Sequence, residues 1–146
     1  MNNTAKKTME FELDGNYRPS AAEPFMNARQ QAYFRMKLLH WKSEILRAAR
    51  GTLENLQEDS GNPADIADRA SSETDRAVEL RARDRQRKLI AKIDAALQRI
   101  EDGTYGYCEE TGEPIALRRL DARPIATLSV EAQERHEKRE RVYRDE

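Results

Sequence analysis

The residues best suited to chemistry in this chain are charged, and their signs are segregated along it. From Glu54 to Asp75 the acids are Glu54, Glu58, Asp59, Asp65, Asp68, Glu73 and Asp75, with Arg69 the sole base. From Arg81 to Lys92 the sign reverses, and Arg81, Arg83, Arg85, Arg87, Lys88 and Lys92 stand against Asp84 alone. Arg81, Arg85, Lys88 and Lys92 are spaced by four, three and four, which puts them on one stripe of a helix. Such a stripe can hold phosphates or an acidic partner surface; it can equally be a solvated helix face. Asp65 and Asp68, three apart, suit either the cap of a helix start or an acidic tip that approaches a metal, a base or a polar loop of a partner. Cys108 is the sole cysteine, and no Cys/His pair accompanies it. Neither a nucleophile–base set nor a metal cage is visible, so an independent hydrolase is disfavoured.

Two long helices must carry these groups. Between Phe25 and Asp59 there is no proline, and apolar residues recur every three or four positions at Phe34, Leu38, Trp41, Ile45, Ala49, Leu53 and Leu56. Ser60-Gly61-Asn62-Pro63 stops that run. A second run carries Val78, Ala82, Leu89, Ile93, Leu97 and Ile100, flanked by Ile90 and Ala96, and ends at Gly103. A short turn between two helices predicts antiparallel packing, and about 35 residues per helix make an arm roughly 50 Å long. The expected fold is mainly α: a long antiparallel helical hairpin (a coiled coil) over 25–102 with its tip near 61–70, a small knob over 103–128, and a C-terminal helix over 129–146 begun by Ser129. Residues 1–24 read as a mobile arm. Pairing should bring Arg35, Lys37, Lys42 and Arg47 beside the basic stretch, giving an acidic tip and a basic stem. In the last helix, Glu134–Lys138, Glu137–Arg141 and Glu140–Arg144 are i,i+4 pairs in the favourable order.

Composition agrees with a thin, solvated structure. Of the 146 residues 38% are hydrophobic and 36% charged, against about 45–50% and about 25% in ordinary domains. A net charge of −1 and a pI near 6.2 argue against a general DNA-binding protein. One cysteine precludes an internal disulfide framework and points to a reducing, cytoplasmic setting. There is no secretory h-region and no run long enough to span a membrane.

Several motifs in order sharpen this: Asp65-Ile-Ala-Asp68-Arg69-Ala70, then Glu79 through Ile90, then Tyr105-Gly-Tyr-Cys108, then Arg119-Leu-Asp-Ala-Arg-Pro124. Together they resemble the DksA family over roughly residues 25 to 140. The resemblance implies a cytoplasmic, monomeric, non-enzymatic factor that binds RNA polymerase without reading DNA sequence itself. It implies that the coiled coil enters the secondary channel and acts with guanosine tetraphosphate (ppGpp), repressing ribosomal RNA promoters and activating some biosynthetic ones. Asp65, Asp68, Arg69 and Ala70 match the acting tip. Arg81 and Arg85 are expected to contact polymerase. Lys88, Leu89, Lys92 and Arg123 match positions of the nucleotide site formed with polymerase; a family lysine in the final helix is replaced here by Gln133.

The family's usual knob is a four-cysteine zinc finger. Cys108 matches the first ligand, but the other positions fall on Thr111, Ser129 and Ala132, a set that does not suit zinc. His40 lies far off, and His136 belongs to the final helix and not to the ligand positions. A zinc-independent member is therefore expected, with no cofactor, and with its knob held by Tyr107, Ile115, Leu117, Leu120, Ile125 and Leu128. The alternatives are a Gre-like transcript cleavage factor, which carries its hairpin at the N-terminus before a larger β-rich domain, and a structural coiled-coil adaptor.

Overall fold

The structure, a computed structural model, describes residues 15–59 and 66–144, with side chains for 15–51 and 70–144. Four helices follow in order: α1 (Ala28–Asp59), α2 (Ile66–Asp102), α3 (Leu117–Ala122) and α4 (Val130–Arg144). The chain divides into two compact units. One is the helix pair Leu39–Asp94; the other joins the residues up to Leu38 with those from Ala95 onward.

A seven-residue repeat organises the two long helices. On α2, Ile93, Ala96 and Ile100 are buried, and Glu79, Ala82, Gln86 and Leu89, which continue their seven-residue spacing, are half-buried. This is the a/d pattern of a left-handed coiled coil. On α1, Phe34, Leu38, Trp41 and Ile45 answer it. Arg35 reaches Glu101, and Lys42 reaches Asp94 at 2.7 Å. Seven residues forward on α1 are seven backward on α2, so the helices run antiparallel. The expected hairpin is thus present, and two details differ. Val78 is 50% exposed while Glu79 takes the seam position, because counting sevens back from Ile93 reaches 86 and 79. Three of the four α1 cations expected in a basic stem, Arg35, Lys37 and Lys42, are drawn onto Glu101, Asp121 and Asp94, while Arg47 is exposed without an ion pair among the described residues. The side chains of Leu53 and Leu56 lie outside the described residues.

In the helix pair the seam changes character. Ile93 and Ile45 are buried, whereas Gln86 Oε1 and Glu79 Oε2 are buried without a hydrogen-bond partner among the described residues. Polar seam positions of this kind cost stability.

The other unit is built on aromatic rings. Tyr17, Tyr33, Phe34 and Tyr105 follow one another at centroid distances of 6.0, 5.2 and 5.5 Å. Buried Tyr105 donates its hydroxyl to the Pro124 carbonyl at 2.8 Å. Within Tyr17–Asn27, most of it expected in a mobile arm, Tyr17 and Met26 are buried. Tyr17 binds Glu23 at 2.9 Å, and fully buried Gln30 accepts from Met26 N–H and donates to the Ser20 carbonyl. Asn27 Oδ1 accepts from Gln30 N–H at 2.8 Å, capping the start of α1.

Gly103 (φ +78°) ends α2 in the left-handed conformation, and Thr104 N–H returns to the Arg99 carbonyl. Gly106 (φ +93°) admits the close approach of Met26 and Phe25, whose atoms would lie 3.1–3.2 Å from a Cβ there. Beyond it a tight turn forms, with Cys108 N–H on the Glu113 carbonyl and Ile115 N–H on the Gly106 carbonyl. The core here is Tyr105, Cys108, Ile115, Leu120, Ala126 and Ala132. Leu117, Ile125 and Leu128 are half-buried, but Tyr107 is not a core residue; it is 39% exposed and packs edge-on against Phe25. Ser129 caps α4 through Ala132 N–H. The three expected i,i+4 pairs of α4 are not joined; Arg135 and Arg139 lean toward Glu110 instead.

Ile93→Ala should cost about 2–5 kcal/mol, the range for emptying a fully buried aliphatic site. Gln86→Leu should act oppositely, stabilising by about 1 kcal/mol, because it removes a buried acceptor without a partner among the described residues. Urea unfolding of both variants at fixed protein concentration checks the pair of signs.

Candidate functional site

The stripe expected on α2 is realised. At about 100° per residue, Arg81, Arg85, Lys88 and Lys92 fall within a narrow arc, roughly a quarter-turn from the seam, and all four are exposed. Lys88 reaches Asp84 at 3.1 Å. Arg81, Arg85 and Lys92 make no ion pair among the described residues. Leu89, one residue from Lys88, is half-buried toward the seam. Asp65 lies outside the described residues. Asp68 and Arg69 fall in the first turn of α2, but their side chains are outside the description; Ala70 is exposed.

Arg123 belongs to the other unit. It is the residue that closes α3, with its N–H on the Arg119 carbonyl. It borders an open cavity of about 810 Å³ lined by Ala116, Arg118, Arg119, Ala122, Arg123 and Val130. Three guanidinium groups around one concavity suit a polyanion with several phosphate oxygens. Arg119 is partly committed, donating from Nε to the Leu128 carbonyl at 2.8 Å. Gln133, in the second turn of α4, donates to Glu137 at 3.2 Å.

The wall of this cavity is anchored by residues that sequence reasoning did not single out for a site. Asp121 accepts from Tyr33 Oη at 2.5 Å and from Lys37 Nζ at 2.7 Å, and Lys37 also donates to the Asp121 carbonyl at 2.5 Å. The hydrogen bonds from Lys37 and Tyr33 hold the Asp121 carboxyl below its usual range. Burial, reinforced by the same carboxylate, pushes the Tyr33 phenol up to about 12. No local pattern links positions 33, 37 and 121, so nothing in the sequence marks them as a cluster. The available signal was only the Arg118-Arg119 pair beside Arg123.

The positions matched to the family's zinc ligands can also be placed. Cys108 and Thr111 share one turn, closed by Gly112 N–H on the Cys108 carbonyl, and Glu109 N–H binds Thr127 two residues before Ser129. Burial alone would push the Cys108 thiol up. Hydrogen bonds from the Thr111 hydroxyl and from the backbone at Ser129, Thr111 and Glu110 outweigh it, and they lower the thiol to about 6. The third corner, Ser129, spends its hydroxyl on capping α4, and the fourth, Ala132, has only a methyl group. One thiol, two hydroxyls already engaged and a methyl do not fit zinc, which takes about four thiolate, imidazole or carboxylate ligands. Among the described residues no cluster of three His, Cys, Asp or Glu could hold a metal.

Comparison with known proteins agrees with this geometry. A model described as the DnaK suppressor protein DksA, N-terminal domain, matches residues 30–100, and one described as a prokaryotic dksA/traR C4-type zinc finger matches residues 103–138. The chain is 72% identical over 131 residues to an RNA polymerase-binding transcription factor DksA of Caulobacter vibrioides, covering 90% of this chain and 92% of that one. It is 40% identical to the protein of the same name from Escherichia coli K12, over 86% of this chain and 83% of that one. The solved structure of transcription factor DksA2 from Pseudomonas aeruginosa superposes with a TM-score of 0.77 at 48% identity, over 85% of this chain and 94% of that one. Nearly full-length identity at this level, on the same helical fold, places the chain in the DksA family.

Proposed function

We propose that this chain is a cytoplasmic, monomeric RNA polymerase-binding regulator of initiation, non-enzymatic and without sequence-specific DNA contacts. The observation that carries the reading is the 72% identity, across nine-tenths of both chains, to a relative named for binding RNA polymerase. On this reading the helix pair enters the secondary channel of polymerase. Asp65, Asp68, Arg69 and Ala70 act there, and Arg81 and Arg85 contact the polymerase surface. Lys88, Leu89, Lys92 and Arg123 take part with polymerase in holding ppGpp, so that ribosomal RNA promoters are repressed and some biosynthetic promoters activated. The exposed α2 stripe and the arginine-lined cavity beside Arg123 support these assignments, because both leave cations available to phosphate or to an acidic surface. The knob works without zinc, since its ligand corners are filled by hydrogen-bonding and apolar groups.

Three outcomes test the reading. Asp68→Asn removes a charge and keeps a good capping side chain. It should leave polymerase affinity within about threefold, below roughly 1 kcal/mol, yet lose most of the shortening of open-complex lifetime at a ribosomal promoter. Full activity of that variant would reduce the acidic tip to a helix cap. The purified protein should carry no stoichiometric zinc, and a chelator should leave its melting curve in place; about one zinc per chain by metal analysis overturns this. Finally, the Cys108 thiol titrates near 6 in the fold, below its ordinary value near 9. The unfolded chain then holds more protons between those values, so this group's contribution is full above about pH 9 and is lost as pH falls through about 6. Stability should fall by at most about 1.4 kcal/mol per pH unit across that window. Cys108→Ser should flatten the slope in denaturant titrations.

A further inference from the structure

The six-residue helix α3 is too short to hold itself, since isolated helices below about 12–15 residues are marginal. No side chain caps its start. Its direction and its roll about its own axis must therefore come from outside contacts. At about 100° per residue, Arg118, Ala122, Arg119 and Arg123 share one side, and these are the residues that line the cavity. Leu120 and Asp121 occupy the other side. Leu120 is fully buried, a contact that is apolar and tolerant of rotation. Arg119 Nε donates to the Leu128 carbonyl, and Asp121 is the directional tie to α1: its carboxylate takes Tyr33 Oη and Lys37 Nζ, and its carbonyl takes Lys37 Nζ as well. Both partners stand one turn apart on α1. The bond from Tyr33 has a second effect. Asp121 lies three residues after Arg118, within reach on a helix. Held on α1, its carboxylate is kept from neutralising the arginines.

We propose that Asp121, clamped by Tyr33 and Lys37, is a positioning residue that fixes the roll of α3 and so presents Arg118, Arg119 and Arg123 to a polyphosphate ligand. This rests on the reading of Arg123 as a ppGpp contact. The clamp does not touch the ligand; it acts through the arginines. Loss of it turns the arginines away and frees a carboxylate to pair with them, while the helix pair that meets polymerase is unchanged.

The test uses the full chain with bacterial RNA polymerase and ppGpp as probe. Asp121→Ala and Tyr33→Phe are compared with Arg123→Ala and with the double variant Asp121→Ala/Arg123→Ala. The readouts are polymerase affinity, open-complex lifetime without ppGpp, and the ppGpp concentration for half-maximal effect. Amide hydrogen exchange in α3 is read at Arg119, Leu120 and Arg123, whose N–H groups bond to the carbonyls of Ala116, Ala116 and Arg119. Asp121→Ala should raise the half-maximal ppGpp concentration about tenfold, as small misplacements of binding groups do, with affinity and the ppGpp-free lifetime within about twofold. Tyr33→Phe, which keeps the ring, should give a smaller shift of the same kind. Asp121→Asn, which can still accept from Tyr33, should recover part of it. The double variant should lose less than the sum of the two single losses, because Asp121 acts in part through Arg123 and in part through Arg118 and Arg119. Additive losses, or an unchanged ppGpp response in Asp121→Ala, overturn the proposal. If Arg123→Ala itself leaves the ppGpp response unchanged, the nucleotide reading of Arg123 fails. Positioning is then decided by exchange: faster exchange confined to α3 in Asp121→Ala and Tyr33→Phe upholds it, and unaltered exchange removes it.

Discussion

The constraint on which the structure rests is the seven-residue repeat shared by α1 and α2. A chain that is 36% charged cannot fill a thick core, and a seam two residues wide per heptad asks little of it. The repeat fixes which residues are buried regardless of their polarity. Ile93 and Ala96 fall on it and vanish from solvent; Glu79 and Gln86 fall on it too and are carried inward although Glu79 Oε2 and Gln86 Oε1 find no partner among the described residues. It also leaves the flank free. The α2 cations lie off the seam by roughly a quarter-turn, so the same period that buries the apolar residues keeps Arg81, Arg85, Lys88 and Lys92 in water and in line.

Helices, their ends and the stripe were legible because they are local. Spacing of three and four, the Gly103 stop and the Ser129 cap each act within a few residues, and each sits where the pattern put it. Val78 was misplaced because it was taken for its apolar side chain, where the repeat counts position. Other errors were not local. Lys37 reads as one more base of a stem until Asp121, 84 residues away, is brought to it by the fold. Tyr17 looks like part of an irregular lead-in until the start of α1 is built against it, and Gln30, read only as a helix residue, proves to bond back to Ser20. The tip is a different case: Asp65, Asp68 and Arg69 are conspicuous in the sequence, and their side chains lie outside the described residues.

In the knob, hydrogen bonds hold the turn at the positions matched to zinc ligands. A zinc ion ties four side chains to one point. Here the equivalent corners are tied by short-range hydrogen bonds that each serve a neighbour: Thr111 supports Cys108, Ser129 caps α4, and Glu109 joins Thr127. Ala132 needs only to fit, and it is fully buried. Several weak bonds hold these corners, supported by the aromatic core around Phe34 and Tyr105.

The aromatic residues are divided between the two units in a way that has an optical consequence. Trp41 is the only tryptophan, and it lies in the helix pair. Tyr17, Tyr33, Tyr105, Tyr107 and Tyr143 all belong to the other unit. Intrinsic optical signals therefore carry two separate reporters without any label. Indole emission follows the solvation of the helix seam around Trp41, while phenol absorbance and near-ultraviolet dichroism follow the ring-packed unit. A single unfolding experiment, watched at both, distinguishes a chain that melts as one cooperative body from one whose helix pair opens first.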